Sequence, residues 1–209
     1  MNKKILLVLA FLLGLASQVF PQKIEFSPYA GYMLAGKFNA NRGEIDIKNG
    51  GNFGATLSFN LSNYTFEDNT HLELMYNHLN TYVLRREYGS GITKRLFDMN
   101  VDYYQIGVTH MVVPDGMFRP FGSISLGWST FNPKESGVSS ESRFSMVLGG
   151  GAKVFFTDHI GIRVQGRLLM PMYFSGGGLW CGTGGCSAGL AASSVVPQGD
   201  FTGGLIFAF

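Results

Sequence analysis

Long stretches of this chain alternate apolar and polar residues with a period of two, and this alternation constrains the fold more than any other feature. Within 51–61, Phe53, Leu57 and Phe59 alternate with Asn52 and Ser58. Successive side chains of a β-strand point to opposite faces, so the pattern predicts strands with one apolar and one polar face. On this basis we predict an all-β fold with eight strands, at about 24–34, 51–62, 70–86, 99–112, 119–132, 143–157, 160–174 and 200–209.

The predicted connections alternate in length along the chain. Short links lie at 62–69, 113–117 and 158–159, and long links lie at 35–50, 87–98, 133–142 and 175–199. In an up-and-down sheet all short links then fall at one end. An even number of antiparallel strands, each long enough to cross a bilayer, predicts a transmembrane β-barrel with short periplasmic turns and long extracellular loops.

A soluble sandwich or a lipocalin-like barrel is the alternative, because alternation alone does not say which face meets the core. The minority face consists of Gly, Ser, Thr, Asn, Gln and charged residues. Such a face is too polar for a soluble core, which favours lipid outside and polar groups inside. The low share of charged residues, 14%, fits that choice.

The first residues, MNKKILLVLAFLLGLASQVFPQ, have the layout of a secretory signal peptide, with Lys3 and Lys4 before an apolar run. That run, from Ile5 to Ala16, is shorter than the roughly 20 residues of a spanning helix. We therefore predict a signal peptide over 1–22, cleaved between 16/17 and 22/23, and a barrel domain over 23–209. Loss of both lysines cancels the formal charge of +2, so a nucleic-acid partner is not expected.

Four stretches together resemble the small eight-stranded outer-membrane barrels of the OmpA-like and OmpW-like β-barrel superfamily, which includes porin-family outer membrane proteins. They are SPYAGYMLAG (27–36), RPFGSISLGW (119–128), GGGAKVFFTDHIGIRVQGR (149–167) and GGLIFAF (203–209). The resemblance implies an integral protein of the bacterial outer membrane, exported through the periplasm. Because the last predicted strand runs to Phe209, we expect no periplasmic domain, unlike the best-known members. It implies function only loosely, because this superfamily includes structural proteins, adhesins, narrow channels and a few lipid-modifying enzymes.

Charged residues on the inward face are the main candidate site. Glu25, Glu73, Lys153 and Arg163 are all expected near the periplasmic rim, where a barrel of eight strands leaves little room for water. Unpaired charges are costly in such a space, so we predict an interior ion-pair network. Arg167 belongs to this network, and Gln165, Asn77 and Gln105 are expected to continue it. The network would act as a fixed stabilising plug or as a gate.

Two further features lie at the loops and the terminus. Cys181 and Cys186 lie in the longest external loop, where an exported chain can form a disulfide. Two cysteines without a nearby histidine do not make a metal site, and we predict neither a metal nor a cofactor. A final strand that closes on Phe207 and Phe209 resembles the signal that hands outer-membrane proteins to the barrel-assembly machinery.

The function predicted from these features is a non-enzymatic, structural or surface-binding role in the cell envelope, with outer-membrane lipids as partners and a surface-loop ligand that the sequence does not identify. A narrow channel for small solutes or hydrophobic compounds is the alternative; a wide porin needs about sixteen strands. A more distant alternative is a lipid A-modifying enzyme that uses His78 with a loop serine. No Ser-His-acid spacing supports that enzyme.

Overall fold

The computed structural model describes residues 24–34, 37–40, 43–61, 69–87, 93–135, 137, 139–182, 185–195 and 197–209. Its described elements are β-strands: β1 (Ile24–Leu34), β2 (Lys37–Ala40), β3 (Gly43–Ile47), β4 (Gly50–Asn60), β5 (Thr70–Glu87), β6 (Thr93–Met111), β7 (Phe118–Pro133), β8 (Glu141–Phe155), β9 (Ile160–Gly182), β10 (Gly185–Val195) and β11 (Gln198–Ala208). No helix within these ranges is long and apolar enough to span a membrane. The predicted signal segment, 1–22, lies outside the described residues.

Eight of the strands close into an antiparallel barrel. Around the barrel the order is β1, β4, β5, β6, β7, β8, β9 and β11, and β11 pairs again with β1. At the short-turn end the first and last barrel strands meet, because Ile24 of β1 and Phe209, which follows β11, exchange both backbone hydrogen bonds. The turn that joins β6 to β7 includes Gly116, whose φ of 94° suits a residue without a Cβ. The predicted all-β, up-and-down barrel is confirmed.

The predicted loops at 35–50 and 175–199 were wrong in part, because both contain strands. β2 and β3 form a hairpin whose second strand pairs with β5 from Val83 to Glu87, above the point where β4 begins. β10 pairs with the upper part of β9. Likewise β6 begins at Thr93 instead of 99. The sheet thus continues past the predicted strand ends as long hairpins, since exposed backbone groups there gain partners from the returning chain.

The outward face carries an apolar belt that ends in a row of aromatic side chains. The register sets Tyr76 opposite Tyr104, and Tyr104 opposite Trp128. From Val112 at the short-turn end to Tyr104 the chain takes eight residue steps, about 27 Å of strand and roughly 20 Å of height at a tilt of about 40°. This height is close to that expected of a lipid-facing belt, with the aromatic row at its upper edge.

Across β5, β6 and β7, polarity reverses at that row on both faces of the barrel wall. Below it the outward face is apolar and the inward face is polar and charged. Above it, outward positions include His78, Asp102 and Asn132, while the inward side chains form an apolar cluster. We call the part of this cluster above the ion pairs the outer core; its members are Met33, Ile47, Leu79, Val83, Met99, Val101, Tyr103, Phe131, Val147 and Leu169. The prediction of a polar inward face therefore applies only to the lower part of the barrel.

Candidate functional site in the barrel interior

Among the described residues, three pairs of a Lys or Arg with a carboxylate lie inside the lower barrel, two across the barrel and one between the neighbouring strands β9 and β11. Period-two alternation places the charged side chains on the inward face of β1, β5, β8, β9 and β11. All five residues predicted for the network are buried there: Glu25, Glu73, Lys153, Arg163 and Arg167. A sixth member, Asp200 on β11, was not predicted.

The first pair joins β8 to β1 near the short-turn end. The Lys153 ammonium donates a hydrogen bond to Glu25 Oε2, and Lys153 is completely buried (0% exposed). His71 Nδ1 lies 3.8 Å from Glu25 Oε1, and neither ring nitrogen of His71 has a hydrogen-bond partner. Glu25 and His71 line an open cavity of about 470 Å³, which Asp115 and Arg119 also line.

The second pair is bidentate and the most completely hydrogen bonded. Arg163 Nη1 and Nη2 lie 2.6 and 3.1 Å from the two oxygens of Glu73. Ser58 and Thr109 also donate to Glu73, at 3.2 and 3.1 Å. Arg163 Nε donates to Gln165 Oε1 at 2.8 Å, so the predicted continuation through Gln165 begins here. A planar guanidinium that matches a carboxylate in this way fixes the geometry of both groups.

The third pair links Arg167 on β9 to Asp200 on β11. Arg167 Nε lies 2.8 Å from Asp200 Oδ2, and Nη1 donates to the Tyr29 hydroxyl at 3.0 Å. Asn52 donates both to Asp200 (2.8 Å) and to Asn77 (3.1 Å). Asp200 is predictable from the sequence, because it lies on the same face of the final strand as Thr202, Gly204 and Ile206, which point inward.

Above the ion pairs, polar contacts become sparse and the outer core begins. Gln105 donates to Ser145, and the Tyr103 hydroxyl donates to Gln198 at 2.6 Å. Tyr103 already belongs to the apolar cluster, in which Met33, Leu79 and Leu169 are fully buried. Ile47 of β3 packs into the same cluster, so the long-loop hairpin contributes to the filling. The described interior is thus occupied by paired charges below and by apolar side chains above.

Chemically, the arrangement holds charged side chains in fixed positions. Each carboxylate is matched by a cation, and the hydroxyls around Glu73 donate to it rather than facing open space. Among the side chains that the structure describes, no group of three or more His, Cys, Asp or Glu is arranged to hold a metal ion. Several buried polar atoms, among them those of Ser27 and Thr202, have no partner in the protein. Such atoms are commonly satisfied by buried water.

His78, the residue of the enzyme alternative, points outward near the aromatic row. Its Nδ1 lies 2.7 Å from Asp102 Oδ1, and its Nε2 lies 3.3 Å from Asn80 Oδ1. Both ring nitrogens therefore face groups other than a serine hydroxyl. The sequence does not predict the contact between His78 and Asp102, because the two residues are 24 positions apart and meet only through the β5–β6 register.

The cysteines and the terminal aromatics were also candidates. The register sets Cys186 opposite Cys181 in the β9–β10 hairpin. Their side chains lie outside the described part of the structure, and the disulfide stays a prediction. Phe209 is exposed on the outward face at the short-turn end. The role of Phe207 and Phe209 in assembly likewise stays a prediction.

Comparison with known proteins also identifies an outer-membrane β-barrel. The family model of the outer membrane protein beta-barrel domain matches residues 7–170. A comparison with curated protein sequences finds no match.

Solved structures of the same architecture include OprG from Pseudomonas aeruginosa, with a TM-score of 0.60 and 11% identity, covering 90% of this chain and 97% of that one. Neisserial surface protein A has a TM-score of 0.58 and 10% identity, covering 89% and 97% of the two chains. A major outer membrane protein from Thermus thermophilus has a TM-score of 0.51 and 11% identity, covering 89% and 99%. At these identities the likeness concerns the fold alone.

Proposed function

Because the chain belongs to the outer membrane protein β-barrel domain family, and is thus an integral protein of the bacterial outer membrane, we propose that it is a non-enzymatic scaffold. Its barrel holds the long extracellular hairpins rigidly for a structural or surface-binding role in the cell envelope. The observation that supports this proposal is the filled interior, in which buried ion pairs are followed by the outer core.

The two layers oppose passage by different means. An ion that moves through the lower barrel must displace Lys153 or Arg163 from a partner, which leaves a buried charge unpaired. A hydrated solute that reaches the outer core must then enter a close-packed apolar region, where its polar groups lose their hydrogen bonds. A protein of this kind acts through its outer surfaces, since the interior offers no route.

Single-channel recording in a planar bilayer tests the proposal. The wild-type protein is expected to give no discrete conductance steps, and so is the Glu73→Ala variant, because the outer core remains closed above the altered pair. Leu79→Ala serves as a second variant that thins the outer core, where Leu79 is fully buried. Regular openings of the wild-type protein would contradict the scaffold and would indicate a narrow channel.

The narrow channel is the second candidate, and one observation favours it. The cavity of about 470 Å³ at the periplasmic mouth leads to Glu25 and His71, and unpartnered polar atoms continue upward along the inward face. Water therefore has a path from the periplasm into the lower barrel. In a channel, Leu79→Ala and Glu73→Ala would both enlarge the conductance steps, whereas in a scaffold neither variant produces any.

A further inference from the structure

A second polar cluster lies on the lipid-facing side of the barrel, directly above the aromatic row. Its centre is Asp102 on β6, which accepts hydrogen bonds from the Tyr76 hydroxyl at 2.9 Å and from Asn132 at 3.0 Å. His78 Nδ1, 2.7 Å away, also donates to it, because a carboxylate only accepts. Side chains from β5 and β7 thus converge on one outward carboxylate of β6, which lies between them. We call these four residues the Asp102 cluster.

An apolar groove of about 350 Å³ begins immediately below this cluster. Its walls are formed by the outward side chains of Phe26, Leu57, Leu74, Tyr76 and Tyr104, and its floor includes the small residue Ala55. Tyr76 belongs to both features, since its ring lines the groove and its hydroxyl binds Asp102. The groove and the cluster therefore form one continuous surface that changes from apolar to polar at Tyr76.

The position of this surface determines what can occupy it. The groove lies in the apolar belt below the aromatic row, where the protein contacts acyl chains. The Asp102 cluster lies just above the row, at the level of lipid head groups. One molecule with an acyl chain and a polar head group on its outer end fits both parts, and lipids of the outer leaflet have that shape.

The chemistry of the cluster selects among head groups. The contacts of its four residues recorded in the structure include no lysine or arginine, and a phosphate would face the Asp102 carboxylate. Carboxylate, amide and imidazole groups instead offer acceptors and donors suited to hydroxyls. Exposed rings of Phe53 and Trp128 flank the site, and the apolar side of a sugar ring can pack on such faces.

We propose that this surface binds a glycolipid of the outer leaflet, with one acyl chain in the groove and the sugar head group at the Asp102 cluster. The site is separate from the barrel interior and goes beyond the scaffold function. A bound glycolipid would fill the groove beside Ala55 and give the upper edge of the barrel a specific lipid neighbour.

Native mass spectrometry of the purified, full barrel can test this with three lipids that carry identical acyl chains: monogalactosyl diacylglycerol, phosphatidylglycerol and diacylglycerol. The galactolipid is expected to remain bound at the highest fraction. Asp102→Asn, which removes the charged acceptor, and Ala55→Phe, which fills the groove, are each expected to lower that fraction about tenfold.

Two matched variants serve as controls and should retain the galactolipid. Asp98→Asn changes an exposed carboxylate on the same strand, where Asp98 pairs with Arg95, and Val164→Phe enlarges an exposed outward side chain of β9 that does not line the groove. Heat-modifiable gel mobility confirms that each variant is folded. If Asp102→Asn does not fold, Ala55→Phe alone carries the test. Equal retention of phosphatidylglycerol, or equal losses in the control variants, would overturn the proposal whatever the conductance of the barrel.

Discussion

Removal of the Glu73 carboxylate should destabilise the barrel strongly, because it leaves Arg163 buried without a partner. Arg163 is 2% exposed and makes two hydrogen bonds to Glu73, of 2.6 and 3.1 Å. When one member of a buried pair is removed, the uncompensated charge costs about 3–5 kcal/mol. We therefore expect Glu73→Ala to lower the free energy of unfolding by about that amount or more, because the buried hydroxyls of Ser58 and Thr109 also lose their acceptor.

Equilibrium unfolding in urea, followed by fluorescence in lipid vesicles, measures this loss. A double variant, Glu73→Leu with Arg163→Met, removes both charges and should be more stable than Glu73→Ala, because apolar replacement of a buried pair is often nearly neutral. Glu141→Ala is the matched control, since Glu141 pairs with Arg143 at an exposed position and its loss should cost about 0–1 kcal/mol. Wild-type stability for Glu73→Ala, or a double variant less stable than the single one, would refute the reasoning.

Two other changes should have distinct outcomes. Gly54→Ala is expected to lower the thermal unfolding temperature, because its Cβ would lie 2.7 Å from the Tyr29 hydroxyl, whereas Gly203→Ala should have little effect, since nothing lies within 4 Å of its Cβ. Maleimide labelling of the unreduced mature protein under denaturing conditions should leave Cys181 and Cys186 unmodified, and labelling before reduction would rule out their disulfide.

The alternation of the sequence predicted the barrel strands well, because one physical constraint acts along their whole membrane-spanning length. The same parity placed Glu25 and Glu73 inside. It could not say which acid meets which base, since Glu73 and Arg163 are 90 residues apart and their contact depends on strand tilt and stagger. The same alternation places Asp200 on the inward face of the last strand, opposite the outward Phe201.

The parts above the membrane were harder to predict, for two physical reasons. In β5 the inward residues change from the polar Asn77 to the apolar Leu79 and Val83. Apolar residues therefore occur on both faces of this strand, and the alternation no longer indicates which face points inward. The strands β3 and β10 depend on pairing with β5 and β9, and such pairing with a distant part of the chain is not indicated by the local sequence. The Asp102 cluster was missed because its residues meet only across strands.

The reversal of polarity at the aromatic row has a mechanical consequence. If the barrel slid toward the periplasm by one pair of residues, His78 and Asp102 would enter hydrocarbon; if it slid outward, apolar belt residues such as Ile106 would enter water. Both displacements cost free energy, and a change in bilayer thickness must then be met by deformation of the lipid around the protein. The barrel therefore keeps a fixed depth in the membrane, and the surrounding bilayer adapts to the hydrophobic thickness of the barrel.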